Sequence, residues 1–511
     1  MGDSSHKRTI VSVITGLFTV VTQAAVGFFL TPFIVKAMGE EANGFAQLAN
    51  NFVMYAALLT TAFNSMGGRF LSVSYHRGEY EKAKQYYSSL VLSNVAITLL
   101  LLPAAIFIVL HLDGILAVDT ANVTDLKILF ACVFLNFFVN QFTALFSMSM
   151  FVRNKLYIQN ILNFLRNILN ALLLLCAFTF LPPRIYYVSA IVLLLTVLLL
   201  PCYYLLHRRT LHGISFHLSD FRFSSVKEML KSGIWNTINQ GGHMLMTGLD
   251  LLLANLFIDP VSMGILSVSK TIPSFITHLA ASLNSNLSPS VTIAWAQNGS
   301  KSALKELRRG MKISSILIAT PVMVFCGFGV VFYQLWTPSL DSHELTVLSA
   351  LACLSLIPMA GPQVLYNIFS AANKLSVNAI SFLITGILNV IIVYAILVSG
   401  YDHGILAIAG VSAVLSIIRN LTVTLPYTAK ILNLKWYEFY KDVGISLLCC
   451  GIVFAFVLLA KHLFPLSNWF SLAIVAVFTS AFAVIAEFYL LCNKEERMRL
   501  FSLIKDKLAK R

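Results

Sequence analysis

Five formally charged residues lie inside stretches that are otherwise apolar enough to cross a membrane. They are Arg166, Asp250, Lys270, Arg419 and Glu487. A charge at the centre of a bilayer costs about 2.5–3.5 kcal/mol on insertion scales, so each one needs a partner or water. Glu487 is close to the end of its stretch, where we expect the carboxylate to snorkel to the interface. The other four are three cations and one anion, which favours an anionic substrate because Arg and Lys bind phosphate well.

A structural role competes with substrate binding at each of these positions. An Arg or Lys inside the membrane also pairs with a carbonyl or an Asn side chain to hold packed helices together. Asp250 is the best carboxylate for coupling to an ion, with Na⁺ and H⁺ as the candidates. A static ion pair with Lys270 is an equally good explanation, because both residues lie in the outer halves of adjacent stretches. The sequence leaves these alternatives open.

Neutral polar side chains form stripes on the same stretches. The candidate substrate-binding residues among them are Asn51, Asn163, Asn239, Gln240 and His243. The last three share one helical face with Asp250 by their spacing. A polar stripe marks either a water-filled path or hydrogen bonds between packed helices, and for these residue types we favour the path.

Motifs of catalysis are absent from the sequence. It contains no C-x-x-C, H-E-x-x-H, Walker A, G-x-S-x-G or D-x-D pattern. We therefore expect no catalytic residue, no metal site and no cofactor, and a chain that is not an enzyme. A membrane enzyme, such as a polysaccharide polymerase or glycosyltransferase, is the alternative from another class. It would need a sizeable domain outside the membrane, and no segment between the apolar stretches is long enough for one.

Membrane spans are the elements that must position these residues. Of the 511 residues 58% are hydrophobic and 11% are charged, whereas soluble domains carry about 25% charged residues. About fourteen apolar stretches recur, each long enough to cross a hydrocarbon core of about 30 Å. The net charge is +14, and the basic residues lie mostly on one side of the membrane. If the N-terminus is cytoplasmic, 29 of the 36 Lys and Arg residues fall in inner segments. We predict an all-α polytopic membrane protein with both termini cytoplasmic and no nucleic-acid partner.

An internal repeat organises the spans. The tripeptide Asn-Lys-Leu at 154–156 recurs at 373–375, an offset of 219 residues, and Gly44 matches Gly264 at an offset of 220. This offset corresponds to six spans, and because six is even the repeats run parallel. We predict an N-terminal six-helix lobe, a cytoplasmic linker, a C-terminal six-helix lobe, two further helices and a basic cytoplasmic tail: 1–206, 207–231, 232–429, 430–491 and 492–511.

Short motifs recur at the boundaries of the spans. They are Pro32, Met38-Gly39, Asn43-Gly44-Phe45, Arg77-Gly78-Glu79, Ala372-Asn373-Lys374, Asn389, Gly400, Gly404 and Ala407-Ile408-Ala409. Together they resemble the polysaccharide flippases of the multidrug/oligosaccharidyl-lipid/polysaccharide exporter superfamily. The resemblance implies two lobes in a V, lined by spans 1, 2, 7 and 8, and alternating access that moves a lipid-linked, usually polyprenyl-diphosphate-linked, sugar from the inner to the outer leaflet. The fourteen spans resemble the branch with lipid II flippases, in which the extra pair forms a groove for the lipid tail.

The resemblance and the cationic interior favour a flippase for a lipid-linked anionic oligosaccharide. It would act in the inner or plasma membrane, in the biosynthesis of O-antigen, capsule, exopolysaccharide or a similar surface polymer, with other polysaccharide assembly proteins as partners. The alternative is a cation-coupled multidrug or metabolite exporter of the same superfamily. Drug exporters of the superfamily typically keep an acidic residue in the first span, and this chain has none there.

Overall fold

Helices are the regular structure of this chain. The computed structural model describes residues 2–118, 123–153, 155–211 and 213–491, and every regular element within these ranges is helical. Two sequence features lie outside the described residues: the predicted tail 492–511 and Asn154 of the repeated tripeptide. In a bilayer a helix satisfies its peptide groups within one segment, which explains this uniformity. The prediction of an all-α polytopic protein is confirmed.

Nineteen α-helices follow one another along the described chain. They are α1 (Gly2–Met38), α2 (Glu40–His76), α3 (Tyr80–Leu110), α4 (Leu112–Ile115), α5 (Val123–Val152), α6 (Leu156–Phe180), α7 (Tyr187–Thr210), α8 (Phe223–His243), α9 (Asp250–Phe257), α10 (Pro260–Ser269), α11 (Thr271–Trp336), α12 (Ser342–Leu354), α13 (Leu356–Met359), α14 (Tyr366–Ala371), α15 (Ser376–Val398), α16 (Gly404–Arg419), α17 (Leu425–Ile431), α18 (Tyr440–Leu463) and α19 (Trp469–Leu491).

Packing divides the helices into two compact units. Unit 1 comprises the described residues of Met1–Val268 and Phe382–Ile405, and unit 2 those of Ser269–Ser381 and Leu406–Arg511. In unit 1, α5 packs along α7, α1 along α6, and α2 along α8. In unit 2, α11, α18 and α19 share one apolar cluster. The predicted lobes describe a sequence repeat rather than packing, and their boundaries stay a prediction.

Ten described helical segments are long and apolar enough to cross a membrane. The four predicted spans outside this set are 43–68, 232–257, 261–294 and 345–370. The first forms α2, which carries a stripe of Asn and Gln side chains. The other three are interrupted, between α8 and α9, between α10 and α11, and between α12 and α14. The count of fourteen therefore stays a prediction, and its uncounted members are the polar and broken helices.

The long helix α11 folds back on itself. Gly299 has φ +63°, a left-handed conformation that glycine adopts without the steric cost of a side chain. A Cβ on Gly310 would lie 3.2 Å from Leu287 Cδ1, although 23 residues separate the two positions. A straight helix would hold them about 35 Å apart. The chain thus reverses direction near Gly299, between the predicted spans 261–294 and 312–334.

Glycine residues allow α2 to approach its neighbours closely. A Cβ on Gly44 would lie 3.1 Å from the Cα of Gly264 in α10, so these two repeat-matched glycines are in contact. A Cβ on Gly233 of α8 would overlap the carbonyl oxygen of Ala62. Backbone atoms cannot move aside as a side chain does, so the contact at Gly233 requires the absence of a side chain.

The variant Gly233→Ala should lower the melting temperature of the purified protein by several degrees, because its methyl group forces α8 away from Ala62. Gly241→Ala is the matched control, since a Cβ there would lie 3.7 Å from the nearest atom, Leu58 Cδ2. This control should keep or raise the melting temperature, as Ala is favoured over Gly within helices by about 1 kcal/mol. Thermal unfolding of both detergent-purified variants measures the difference, and equal melting temperatures would contradict the close packing of α2 and α8.

Candidate functional site

In unit 1 several predicted site residues surround an interruption of α8. The chain forms a π-helical turn at Met244–Gly248 after α8 and resumes as α9 at Asp250. A π turn changes the hydrogen-bonding pattern and leaves carbonyl groups that need donors from elsewhere. Within a membrane the donors come from other parts of the protein or from water in a cavity, because lipid supplies none.

Two of the donors come from α2. Asn51 Nδ2 donates to the carbonyl oxygen of Gly248 at 3.1 Å, and the Tyr55 hydroxyl donates to the same oxygen at 2.6 Å. A carbonyl oxygen has two lone pairs, so both bonds are accommodated. Asn51, predicted to bind substrate, therefore has an amide engaged in a contact between helices, and its substrate role stays a prediction.

The third donor comes from α15. Nδ2 of Asn389 lies 3.1 Å from the carbonyl oxygen of Leu245 and 3.2 Å from that of Met246. The His243 ring stacks on Phe382, which also lies in α15, with ring centroids 5.8 Å apart and planes inclined by 12°. The turn is thus supplied with donors from two neighbouring helices, and the predicted site residue His243 contacts one of them.

Asp250 begins α9 two residues after the π turn ends and is 1% exposed. Its carboxylate interacts electrostatically with the Tyr55 hydroxyl. Its predicted partner, Lys270, is half-buried at the junction of α10 and α11 and belongs to unit 2. The ion pair and the ion-coupling role of Asp250 both stay predictions. The predicted residues Asn239 and Gln240 are half-buried on the last turn of α8.

Arg166 and Asn163 are half-buried on the uninterrupted helix α6. The hydroxyl of Tyr203, a buried residue of α7, donates to Asn163 Oδ1 at 3.4 Å. The same hydroxyl interacts electrostatically with Arg166. The three side chains form one polar group between α6 and α7, as the spacing of Asn163 and Arg166 on one helical face predicts.

In unit 2, Arg419 ends α16 and directly precedes a second π turn, Asn420–Thr424. The residue is 4% exposed, and its Nη2 donates to Tyr366 Oη at 2.8 Å and to Asn420 Oδ1 at 2.9 Å. Tyr366 Oη in turn donates to Asn420 Oδ1 at 2.6 Å. Both acceptors are neutral, so these bonds orient the guanidinium group without neutralising it.

Sequence reasoning missed side chains that bond the predicted residues or the π turn, namely Tyr55, Tyr203, Tyr366 and Asn420. Asn389 was named as a motif residue but not as a donor to the π turn. Tyr55 lies four residues after Asn51 on one helical face, a spacing that was available as a signal. The expectation for Glu487 was wrong: the side chain is 0% exposed and does not snorkel, because α11 and α18 cover it. Among the described residues, no group of three or more His, Cys, Asp or Glu side chains could hold a metal ion.

Removing the donor at position 389 should destabilise the protein. Asn389→Ala leaves the carbonyls of Leu245 and Met246 without this amide and should cost about 1–3 kcal/mol of unfolding free energy. Tyr55→Phe should cost less, since Asn51 still donates to Gly248. Denaturant-induced unfolding of the purified variants measures both values.

The matched control for this prediction is Asn50→Ala. The Asn50 amide is exposed and donates within its own helix, to the carbonyl oxygen of Ala46 at 2.8 Å. Its removal should change the unfolding free energy by no more than about 0.5 kcal/mol. If Asn389→Ala were as stable as this control, the π turn would not depend on the donor from α15.

Known proteins resemble this chain in sequence. The family described as polysaccharide biosynthesis protein matches residues 11–290. The chain is 27% identical over 470 residues to the uncharacterized membrane protein EpsK of Bacillus subtilis (strain 168), with 92% of each chain covered.

Solved structures share the fold at low sequence identity. A structure of the lipid II flippase MurJ in an inward closed conformation matches with a TM-score of 0.65 and 12% identity, covering 94% of this chain and 99% of that one. An inward-facing multidrug resistance transporter of the MATE family, in the MOP superfamily, matches with a TM-score of 0.62 and 11% identity, covering 88% and 99%. These likenesses concern the fold alone, which is that of all-helical transporters. The family match covers more than half of the sequence, and the chain therefore belongs to the polysaccharide biosynthesis protein family.

Proposed function

We propose that this protein is a flippase that moves a polyprenyl-diphosphate-linked oligosaccharide from the inner to the outer leaflet by alternating access. The transported sugar is a precursor of a surface polysaccharide such as O-antigen, capsule or exopolysaccharide. The protein acts in the inner or plasma membrane with both termini in the cytoplasm, beside other polysaccharide assembly proteins. It performs no covalent chemistry and is not an enzyme.

The observation that carries this proposal is the set of cations within the membrane-embedded helices. Arg166, Lys270 and Arg419 lie in a chain of the polysaccharide biosynthesis protein family, and the proposed substrate would present a diphosphate to them. Arg binds phosphate through a planar pair of donors, and Lys binds it as a point charge. Tyr366 orients the Arg419 guanidinium group through a hydrogen bond, and Arg166 interacts electrostatically with Tyr203.

Transport against a gradient needs an energy source, and the sequence carries no motif for ATP hydrolysis. We assign this coupling to Na⁺ or H⁺ at Asp250. Its burial and its place directly after an interrupted helix support the assignment, since broken membrane helices supply ion sites in other transporters.

A cation-coupled multidrug or metabolite exporter is the second candidate. The structural similarity to a multidrug resistance transporter of the MATE family favours it, as does the buried carboxylate of Asp250. The two functions differ in what they require: a flippase needs the cations that bind a diphosphate, whereas an exporter of cationic drugs needs the carboxylate.

Depletion of the protein should trap lipid-linked oligosaccharide in the inner leaflet and lower the surface polysaccharide. Leaflet-resolved labelling of the sugar in cells or spheroplasts measures this accumulation. Restored expression should clear it. If no lipid-linked sugar accumulates in the inner leaflet on depletion, the flippase proposal is wrong.

Neutralising one cation should impair transport without affecting the fold. Arg166→Gln and Lys270→Gln should each weaken substrate binding about tenfold to a hundredfold, because a hydrogen bond to a charged group contributes about 1.5–3 kcal/mol. Arg184→Gln is the matched control, as Arg184 is exposed in the segment between α6 and α7 and is paired with Asp125 at 3.2 Å. Complementation of a depleted strain measures the effect at matched protein levels.

The same strains separate the two candidate functions. For a flippase, Arg166→Gln and Lys270→Gln lower the surface polysaccharide while resistance to cationic drugs is unchanged. Drug efflux that Asp250→Asn abolishes, in cells whose polysaccharide stays normal, would establish the exporter instead.

A further inference from the structure

Glu487 is a buried carboxyl group in the helix pair that lies outside the predicted repeat. It occupies α19 four residues before the helix ends at Leu491, and its side chain is 0% exposed. α19 packs on α11 and α18, and the three helices share an apolar cluster that includes Val322, Val453 and Ala483. The proposed substrate cations lie on other helices, so the proposed function does not use this carboxyl group.

The hydrogen bonds of Glu487 are incomplete. The Thr320 hydroxyl of α11 donates to Glu487 Oε2 at 3.1 Å. Oε1 is buried and has no hydrogen-bond partner among the described residues. From α18 the titratable groups that act on the carboxyl are the thiols of Cys449 and Cys450. No ion pair of the described residues includes Glu487, so no cation within 2–118, 123–153, 155–211 and 213–491 forms a salt bridge with it.

An ionised carboxylate at this position would be costly. Moving an unpaired charge from water into an apolar environment costs far more than moving the neutral acid, and a single neutral hydroxyl offsets little of that difference. A protonated carboxyl group avoids this cost because it is neutral, and it also carries its own O–H donor. The apolar contacts of α19 with α11 and α18 therefore select the protonated form.

We propose that Glu487 is a proton-binding site, which holds a proton while α19 is packed on α11 and α18 and releases it to water when this packing opens. The binding of the proton and the closure of the contact are then linked. A low pH favours the packed arrangement, and a high pH favours its opening. The site gives the helix pair α18–α19 a proton dependence of its own, separate from any ion bound at Asp250.

A hydrophobic carbodiimide is the probe for this site, because it enters the bilayer and reacts with protonated carboxyl groups. The experiment uses the full chain in lipid nanodiscs, dicyclohexylcarbodiimide as the reagent, and mass spectrometry to locate the modified residue. We expect labelling of Glu487 at neutral pH, no such label in Glu487→Gln, and a decline of about tenfold per unit of pH once the carboxyl titrates. Glu438, which is half-buried and bonded to Arg308 at 2.6 Å, is the internal control and should stay unlabelled because the ion pair keeps it ionised.

Infrared spectroscopy of the unmodified protein gives a second measurement that does not depend on a variant folding. A protonated carboxylic acid has a carbonyl stretch distinct from that of a carboxylate, and we expect a band that disappears reversibly as the pH rises. A Thr320→Val variant should retain the band, since burial rather than the hydroxyl group selects the protonated form. Absence of both label and band at neutral pH would overturn the proposal. A label and band that persist unchanged at every pH at which the protein stays folded would also overturn it, by showing that the proton is never released.

Discussion

The satisfaction of main-chain carbonyl groups is the constraint on which the rest of unit 1 depends. A membrane helix that breaks leaves carbonyl oxygens without their partners in the helix, so every break needs donors from neighbouring helices or from water in a cavity. The π turn Met244–Gly248 meets this requirement with Asn51, Tyr55 and Asn389. These bonds tie α2 and α15 to the middle of the interrupted helix. The break thus determines which helices pack beside it.

Such bonds need close approach, and glycine residues provide it. A Cβ on Gly386 of α15 would lie 2.7 Å from Leu245 Cβ and 2.8 Å from the carbonyl oxygen of Gly242. A Cβ on Gly242 would lie 2.6 Å from the main chain at Phe382. Gly386 precedes Asn389 by about one helical turn. The missing side chain therefore brings the main chains together at the height where the Asn389 amide reaches the turn.

Much of this fold follows from hydropathy, because burying polar groups in a membrane is costly and the sequence shows directly which segments lack them. The helical class and the uninterrupted spans were predictable on that basis. The π turns were not, since they depend on donors distant in sequence, such as Asn389 for Leu245. Asn51 shows the same limit: a face that lines a cavity and a face that holds a neighbouring helix have the same periodicity. For Glu487, position near a helix end predicts snorkelling only if nothing covers that end, and the cover comes from α11 and α18.

The charged residues and the breaks coincide along the chain. Asp250 follows the first π turn, Lys270 separates α10 from α11, and Arg419 precedes the second π turn. Within an intact helix, each peptide group is hydrogen-bonded to its neighbours one turn away, so the helix moves as one rigid body. At a break fewer main-chain hydrogen bonds oppose bending, so the two halves of the helix can change their angle at lower cost.

A ligand or ion shifts a conformational equilibrium only through its different affinity for the two states. In the proposed function, a ligand or ion bound by a charge at a break would make that difference large, because a small change of angle there alters the distance between charge and ligand. Arg166 lies on the uninterrupted helix α6, so in the proposed function a phosphate bound there would act on the helix as a whole.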